Sequence, residues 1–370
     1  MSLVNTRIQN IRAKSNLDKN EIRPSRYGAL DLFKTQSDNP AGILTPELKE
    51  KAAKSIGSTL QTPVIDFDGA ISIGNTRTVT IADSENTSQM VDITFTTYAW
   101  GFTQVPALFH NNEIGEQADF EAKFMQYLNK FAATLDTAAL TALSTAKTQV
   151  FGDLLTYTET GNVVIVPFSQ RESSIGDTNV MMGANDYFGD LHIVGNGGVE
   201  STIRKMAESG LYNAENKTMQ YSDKTLHFTP RLANGVDEFA NMYAVEGGSV
   251  AVLPRFEVEA LRGTKTKDGH EWGIETLPMI NFPIGTYEYE SVSSQTTIAG
   301  AASAHLDRVL KKHYGFAVDV AFLTAYNSDI ATKANPIMKF TIASKAVSDA
   351  LAVNIVNTAA DPVNTLEVTP

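Results

Sequence analysis

Residues 116–147 read EQADFEAKFMQYLNKFAATLDTAALTALSTAK, and this stretch decides the fold. Phe120, Phe124, Leu128, Phe131, Leu135 and Ala139 recur at spacings of three and four, which gathers them into one apolar stripe of an α-helix. Neither Gly nor Pro interrupts the run. At about 1.5 Å per residue it spans roughly 45 Å. The stripe reads as a face for core packing.

N-terminal to this helix the periodicity changes from helical to extended. From Thr76 to Ala82 the residues alternate, with Arg77, Val79 and Ile81 on one face and threonines on the other. From Val91 to Ala99 they alternate again, with Val91, Ile93 and Phe95 on one face. The polar run Asp83 to Ser88 lies between. This predicts a long β-hairpin. A two-stranded ribbon is marginal in water, so its apolar face needs a partner surface, in a neighbour or in the chain's own core.

Further upstream, residues 1–56 are polar, with a short helix predicted from Pro46 to Ser55 behind the capping Thr45. Around Arg26 to Phe33 only Tyr27, Leu30, Leu32 and Phe33 are large and apolar, too few to fold alone. Such an arm docks onto something else or stays mobile. It is also basic. Arg7, Arg12, Lys14, Lys19, Arg23, Arg26 and Lys34 face only Asp18, Glu21 and Asp31, a local charge of +4 in a chain of net charge −12. A basic arm on an acidic body suits an acidic neighbour or a polyanion, whereas the overall charge argues against a dedicated nucleic-acid binder.

Beyond the long helix the chain is mixed. Strands are predicted at Val163 to Val166, Leu191 to Val194, Thr225 to Phe228, Met242 to Val245, Thr286 to Val292 and Phe316 to Tyr326, with a β-leaning segment from Ile337 to Val368. Helices are predicted near Val199 to Ser209 and Phe256 to Leu261. Strands and helices do not alternate strictly, so the class is α+β. The length of 370 residues exceeds what one core serves, and about two compact regions are expected.

Enzymatic chemistry finds little support. Leu191 to Val199 offers a strand, the turn Gly195-Asn196-Gly197-Gly198 and a helix, the ingredients of a dinucleotide site. Position 200, however, is Glu200, a carboxylate that suits the helix dipole and repels a pyrophosphate. None of the six histidines forms H-x-H or H-E-x-x-H. Asp66-Phe67-Asp68-Gly69 lacks the glutamate that closes a calcium loop. The absence of cysteine excludes disulfides and thiolate chemistry. Catalytic, metal and cofactor sites are all expected to be absent. No window has the length of a signal peptide's apolar core or a membrane span, so a soluble chain with no membrane contact is expected.

The order of arm, hairpin, long helix and mixed α/β region resembles the major capsid proteins of tailed double-stranded DNA phages, which share the Hong Kong 97 fold. The resembling stretches are Ala29 to Phe33 with Gly42 to Pro46, Gln61 to Asp66, Asn185 to Asn196, Glu271-Trp272 before Leu277-Pro278, and Tyr314 to Asp319. The resemblance implies an N-terminal arm over 1–56, an extended E-loop over 57–108 and a peripheral (P) domain with its spine helix over 109–150. A mainly axial (A) domain would follow over 151–300, and a return to the P domain with C-terminal strands over 301–370.

The same resemblance implies a shell of hexamers and pentamers around a packaged genome, assembled in a host bacterial cytoplasm. Portal, scaffold and other head proteins would be partners, with non-specific proximity to DNA. Inter-subunit contacts are expected at Val79, Ile81, Val91, Ile93, Phe95, Tyr27, Leu30 and Phe33, with Arg7, Arg12, Lys14, Lys19, Arg23 and Arg26 as the basic arm. An encapsulin-like nanocompartment shell is the near alternative, and a soluble nucleotide-binding enzyme using Gly195–Gly198 the distant one. Some relatives link an E-loop lysine to an asparagine of a neighbour. No lysine lies between Thr62 and Val105, so a non-covalent shell is expected.

Overall fold

The computed structural model describes residues 7–8, 27–55, 57–65, 88–109, 115–148, 157–184, 186–207, 220–221, 224–256, 270–278, 280–293, 309–325, 335–347, 355–358 and 365–368. In chain order the elements begin with helices α1 (Gly28–Ser37) and α2 (Pro46–Lys54) and strands β1 (Thr59–Ile65), β2 (Ser88–Thr94) and β3 (Thr96–Gln104). The long helix α3 (Glu116–Ala146) comes next, followed by β4 (Thr158–Thr160), β5 (Val163–Val166), α4 (Ser173–Gly183), β6 (Leu191–Gly195) and α5 (Gly197–Ala207). The chain continues through β7 (Gln220–Tyr221), β8 (Lys224–Phe228), β9 (Glu238–Glu246), β10 (Val250–Arg255) and β11 (Glu271–Leu277). The last strands are β12 (Phe282–Ser293), β13 (Val309–Thr324), β14 (Ile337–Ala343), β15 (Ile355–Thr358) and β16 (Thr365–Val368).

The chain divides into two compact units. One comprises Met1–Pro24, Phe95–Leu135 and Pro254–Ala321, and the other Ser25–Thr94, Asp136–Leu253 and Phe322–Pro370. The division falls inside α3, β10 and β13.

In the first unit β11, β12, β13 and β3 form consecutive antiparallel pairs. The first half of α3 lays its apolar stripe on this sheet. Tyr98 meets Phe131 at 6.4 Å between ring centroids, Trp100 meets Phe124 at 5.5 Å, and Phe102 meets Phe120 at 5.2 Å. Residues 98, 100 and 102 share a face because strand side chains alternate, while 120, 124 and 131 share one through the helical repeat. Phe316 stacks on Trp100 at 4.0 Å from the neighbouring strand. Aromatic groups of this size dominate the burial that holds the unit together.

The second unit is built on a seven-stranded sheet in the order β4-β5-β14-β9-β6-β8-β7. The pairs β5–β14 and β6–β8 are parallel and the others antiparallel. On one face Val164, Val166, Leu191, Ile193, Leu226, Met242, Met338 and Phe340 pack with Ile175 and Met182 of α4 and Val199 and Ile203 of α5. All four residues of β5 are buried, as expected for a strand covered on both sides. The opposite side of β6 and β8 receives α1. Mixed pairing and the uneven placement of helices make the class α+β.

Several sequence expectations are met closely. Thr45 Oγ1 accepts the Leu48 N–H at 3.3 Å, and α2 ends one residue before the expected Ser55. The long helix starts at Glu116 as predicted. The strand predicted from Val91 to Ala99 is corrected. It is two strands broken at Phe95, the first pairing with β1 and the second with β13. The hairpin partner of β2 is Thr59–Ile65, with Ile65 opposite Ser88. The predicted strand Thr76 to Ala82, its tip at Asp83 to Thr87, and the helix expected from Phe256 to Leu261 (Phe256 itself apart) lie outside the described residues.

Candidate functional site

The residues expected to reach a neighbour divide into three groups. Val79 and Ile81 lie outside the described residues, as do Arg12, Lys14, Lys19, Arg23 and Arg26. Val91 is half-buried on the β1–β2 ribbon. The third group is buried within the subunit. Ile93 lies opposite Leu60 across the ribbon, and both are buried. Phe95 sits under the Arg255 guanidinium at 4.1 Å. Tyr27, Leu30 and Phe33 are at most 5 % exposed. These five side chains are covered within the subunit. Tyr27, Leu30 and Phe33 are covered because the arm segment docks on the subunit's own core, while Ile93 and Phe95 are covered by Leu60 and Arg255.

Arg7 is likewise engaged within the subunit. Its Nη1 donates to Gln104 Oε1 at 3.0 Å and its Nη2 to Glu116 Oε1 at 2.6 Å, and its guanidinium lies 5.2 Å from the Phe120 ring. Burial alone raises a carboxyl pKa. Here the hydrogen bond and charge of Arg7, with those of Lys312, outweigh it and hold Glu116 below its ordinary value. A guanidinium committed in this way offers little to a polyanion.

The organised polar site of the second unit is the seat of α1. Tyr27 gives this helix no side-chain cap. The cap comes from α3, where the fully buried Asp136 accepts the Leu30 N–H at 3.0 Å and the Thr229 Oγ1–H at 2.5 Å. A carboxylate there complements the helix dipole. Burial nevertheless pushes the Asp136 carboxyl above its ordinary range, against the opposing bonds from Thr229 and Leu30 and the charge of Arg231. Arg231 lies 3.5 Å from Asp136 Oδ2 and over the Tyr27 ring at 4.7 Å. Gly28 is needed for the approach, since a Cβ there would lie 2.6 Å from the Phe228 backbone.

A second set of bonds runs along the same helix. Asp31 Oδ2 is 3.2 Å from His227 Nδ1, His227 Nε2 is 3.2 Å from His192 Nδ1, and His192 Nε2 is 2.8 Å from Gln36 Nε2. Gln36 Oε1 accepts the Gly248 N–H at 2.5 Å. At its far end Ser37 Oγ donates to Phe33 O and accepts the Val252 N–H. Sequence reading missed this site. The two histidines are 35 positions apart and only the parallel pairing of β6 with β8 brings them side by side.

The glycine turn at 195–198 has a structural use. Asn196 Oδ1 accepts the Gly198 N–H at 3.1 Å, and Asn196 Nδ2 donates to Leu232 O and Asn234 Oδ1, so the start of α5 is already capped. A Cβ on Gly198 would lie 2.7 Å from Ala240 Cβ and strike Phe239 O. This glycine lets helix and sheet pack closely. Glu200 pairs with Arg204 at 2.6 Å. Among the described residues no group of three His, Asp or Glu side chains is placed to hold a metal, and no helix is long and apolar enough to cross a membrane.

No family model and no curated protein sequence matches the chain. Solved structures do. The capsid of Ralstonia phage GP4 matches with a TM-score of 0.50 at 11 % identity, over 90 % of this chain and 94 % of that one. A structure from Mycobacterium phage Che8 gives 0.47 at 11 % identity over 81 % and 89 %, and the Cyanophage Pam1 capsid asymmetric unit 0.47 at 10 % over 80 % and 87 %. The fold of this chain is that of phage capsid subunits, the Hong Kong 97 type.

Proposed function

We propose that the chain is the major capsid protein of a tailed double-stranded DNA phage, a structural protein without catalytic activity. It assembles with copies of itself as hexamers and pentamers into the icosahedral head. The observation that supports this reading best is the match in fold to the GP4 capsid along nearly the whole of both chains. In this reading residues 1–56 are the arm, 57–108 the E-loop, 109–150 the start of the P domain with the spine, and 151–300 mainly the A domain. Residues 301–370 return to the P domain. Portal and scaffold proteins are its partners, and the virion is its place after assembly in the host cytoplasm.

The contacts between subunits are assigned to ribbon surface that the chain leaves open. Met90 on β2 is 54 % exposed, and Val91 beside it is half-buried. Many modest contacts of this kind, repeated over a closed lattice, give a stable container through avidity. The encapsulin-like alternative is not favoured, since the matched shells are those of phages. Nor is the nucleotide enzyme, because Gly195 and Gly198 pack closely against Val199 of α5 and Ala240 of β9, and Asn196 already caps α5. Sedimentation of the purified full-length chain tests the proposal. Particles of megadalton mass are expected, and a stable 40.1 kDa monomer at all concentrations would overturn it.

A further inference from the structure

The seat of α1 contains a chain of hydrogen bonds whose direction is fixed at one end. Gln36 Oε1 faces the Gly248 backbone N–H, which can only donate, and also the Asn39 Nδ2 at 3.3 Å. The other amide atom of Gln36 is therefore nitrogen, and it donates to His192 Nε2. His192 then carries its proton on Nδ1 and donates to His227 Nε2. His227 in turn carries its proton on Nδ1 and donates to Asp31 Oδ2. Both rings are neutral Nδ1–H tautomers, each selected by the bond at its other nitrogen.

We propose that Gln36, His192, His227 and Asp31 form a one-way relay that latches α1 onto the sheet at neutral pH and releases it in acid. The relay has no place for another proton. A proton on His192 Nε2 points at the Gln36 NH₂, donor against donor. A proton on His227 Nε2 points at the His192 N–H, and relieving that contact moves the clash to Gln36. In each case a buried bond breaks, and buried donors without acceptors are costly.

Among the described residues, the charged groups at the seat are Asp31 and Lys34 on α1, Asp136 on α3 with Arg231 beside it, His227 on β8, Asp190 just before β6, and Glu246 at the end of β9. Asp136, raised by burial, titrates in the opposite sense to His192 and lies outside the relay. Burial first, and the neighbouring His227 second, push His192 from 6.5 down to about 4, with Asp190 opposing. A histidine whose folded value is depressed disfavours the proton in the docked state. The contribution of His192 to docking is therefore at full strength above about 6.5, weakens by up to tenfold per pH unit as pH falls towards 4, and changes no further below that. Release would uncover Leu30, Leu32 and Phe33, all now buried. The latch belongs to the subunit's own fold and does not depend on the assembly proposed above.

Two measurements on the full-length chain test it. In nitrogen NMR of ¹⁵N-histidine-labelled protein at pH 7, the two rings are assigned by their loss in His192→Gln and His227→Gln. Both should show a protonated Nδ1 and an unprotonated Nε2, and an Nε2–H tautomer at either ring overturns the relay. Hydrogen exchange between pH 7 and 4 should show α1 amides losing protection before those of β5 and β14, with the acid step flattened in His192→Gln. Loss of protection in all three elements at one midpoint, or an unchanged step in the variant, overturns the latch. If the variant does not fold, the tautomers and the order of exchange in the wild type still decide.

Discussion

Asp136, in the second half of α3, caps α1 by accepting the Leu30 N–H at 3.0 Å, across 106 positions of sequence. The bond is both an N-terminal helix cap and a tertiary contact, so its loss leaves buried donors on two elements. Asp136→Ala is expected to lower stability by on the order of 2–4 kcal/mol, and Asp136→Asn by less, because the amide oxygen can still accept from Leu30. Urea unfolding of the two variants checks the order. Equal losses would show that the carboxylate charge, and not the acceptor, holds the helix.

Arg7 and Glu116 form the corresponding tie in the first unit. Arg7→Met is expected to cost about 1–2 kcal/mol at neutral pH, discounted because Glu116 remains partly exposed. Glu116 is held below its ordinary value of 4.5. Its contribution is therefore complete above that pH and disappears as pH falls through the folded value. The difference between wild type and variant should shrink below about pH 4.5. Thermal unfolding of both proteins at pH 7 and pH 4 measures it.

Gly198 discriminates between a packed turn and a phosphate cradle. Gly198→Ala places a methyl group against Ala240 and Phe239. It should lower stability by about 1–3 kcal/mol, as overpacking does. ATP and NAD at millimolar concentration should leave the wild-type Tm unchanged. A ligand that bound the native state would raise it by mass action.

Purified particles should run as single subunits on denaturing gels. No lysine lies between Thr62 and Val105 to supply an amine nucleophile. A ladder of linked subunits would refute the non-covalent shell.

These experiments depend on features of unequal legibility in the sequence. The spine was plain, because Phe120 to Ala139 carry a helical repeat that survives any tertiary context. The four residues of β5 were equally plain, since a fully covered strand is an unbroken apolar run. The break at Phe95 was hidden, because alternation continues through it while its two sides pair with strands more than 200 positions apart. Helix α1 has too few apolar residues to signal a docked element, and its partners Asp136, His192 and Val252 are far along the chain. The relay had no sequence signal at all. Its histidines acquire meaning only when β6 and β8 pair in parallel.

Cryo-electron microscopy of the purified full-length protein shows whether copies of this chain close into a shell. Icosahedral particles are expected, with pentamers at the vertices and hexamers between them, and a subunit density that carries the long α3 and the seven-stranded sheet. Monodisperse monomers, or open aggregates without pentamers, would contradict a closed shell.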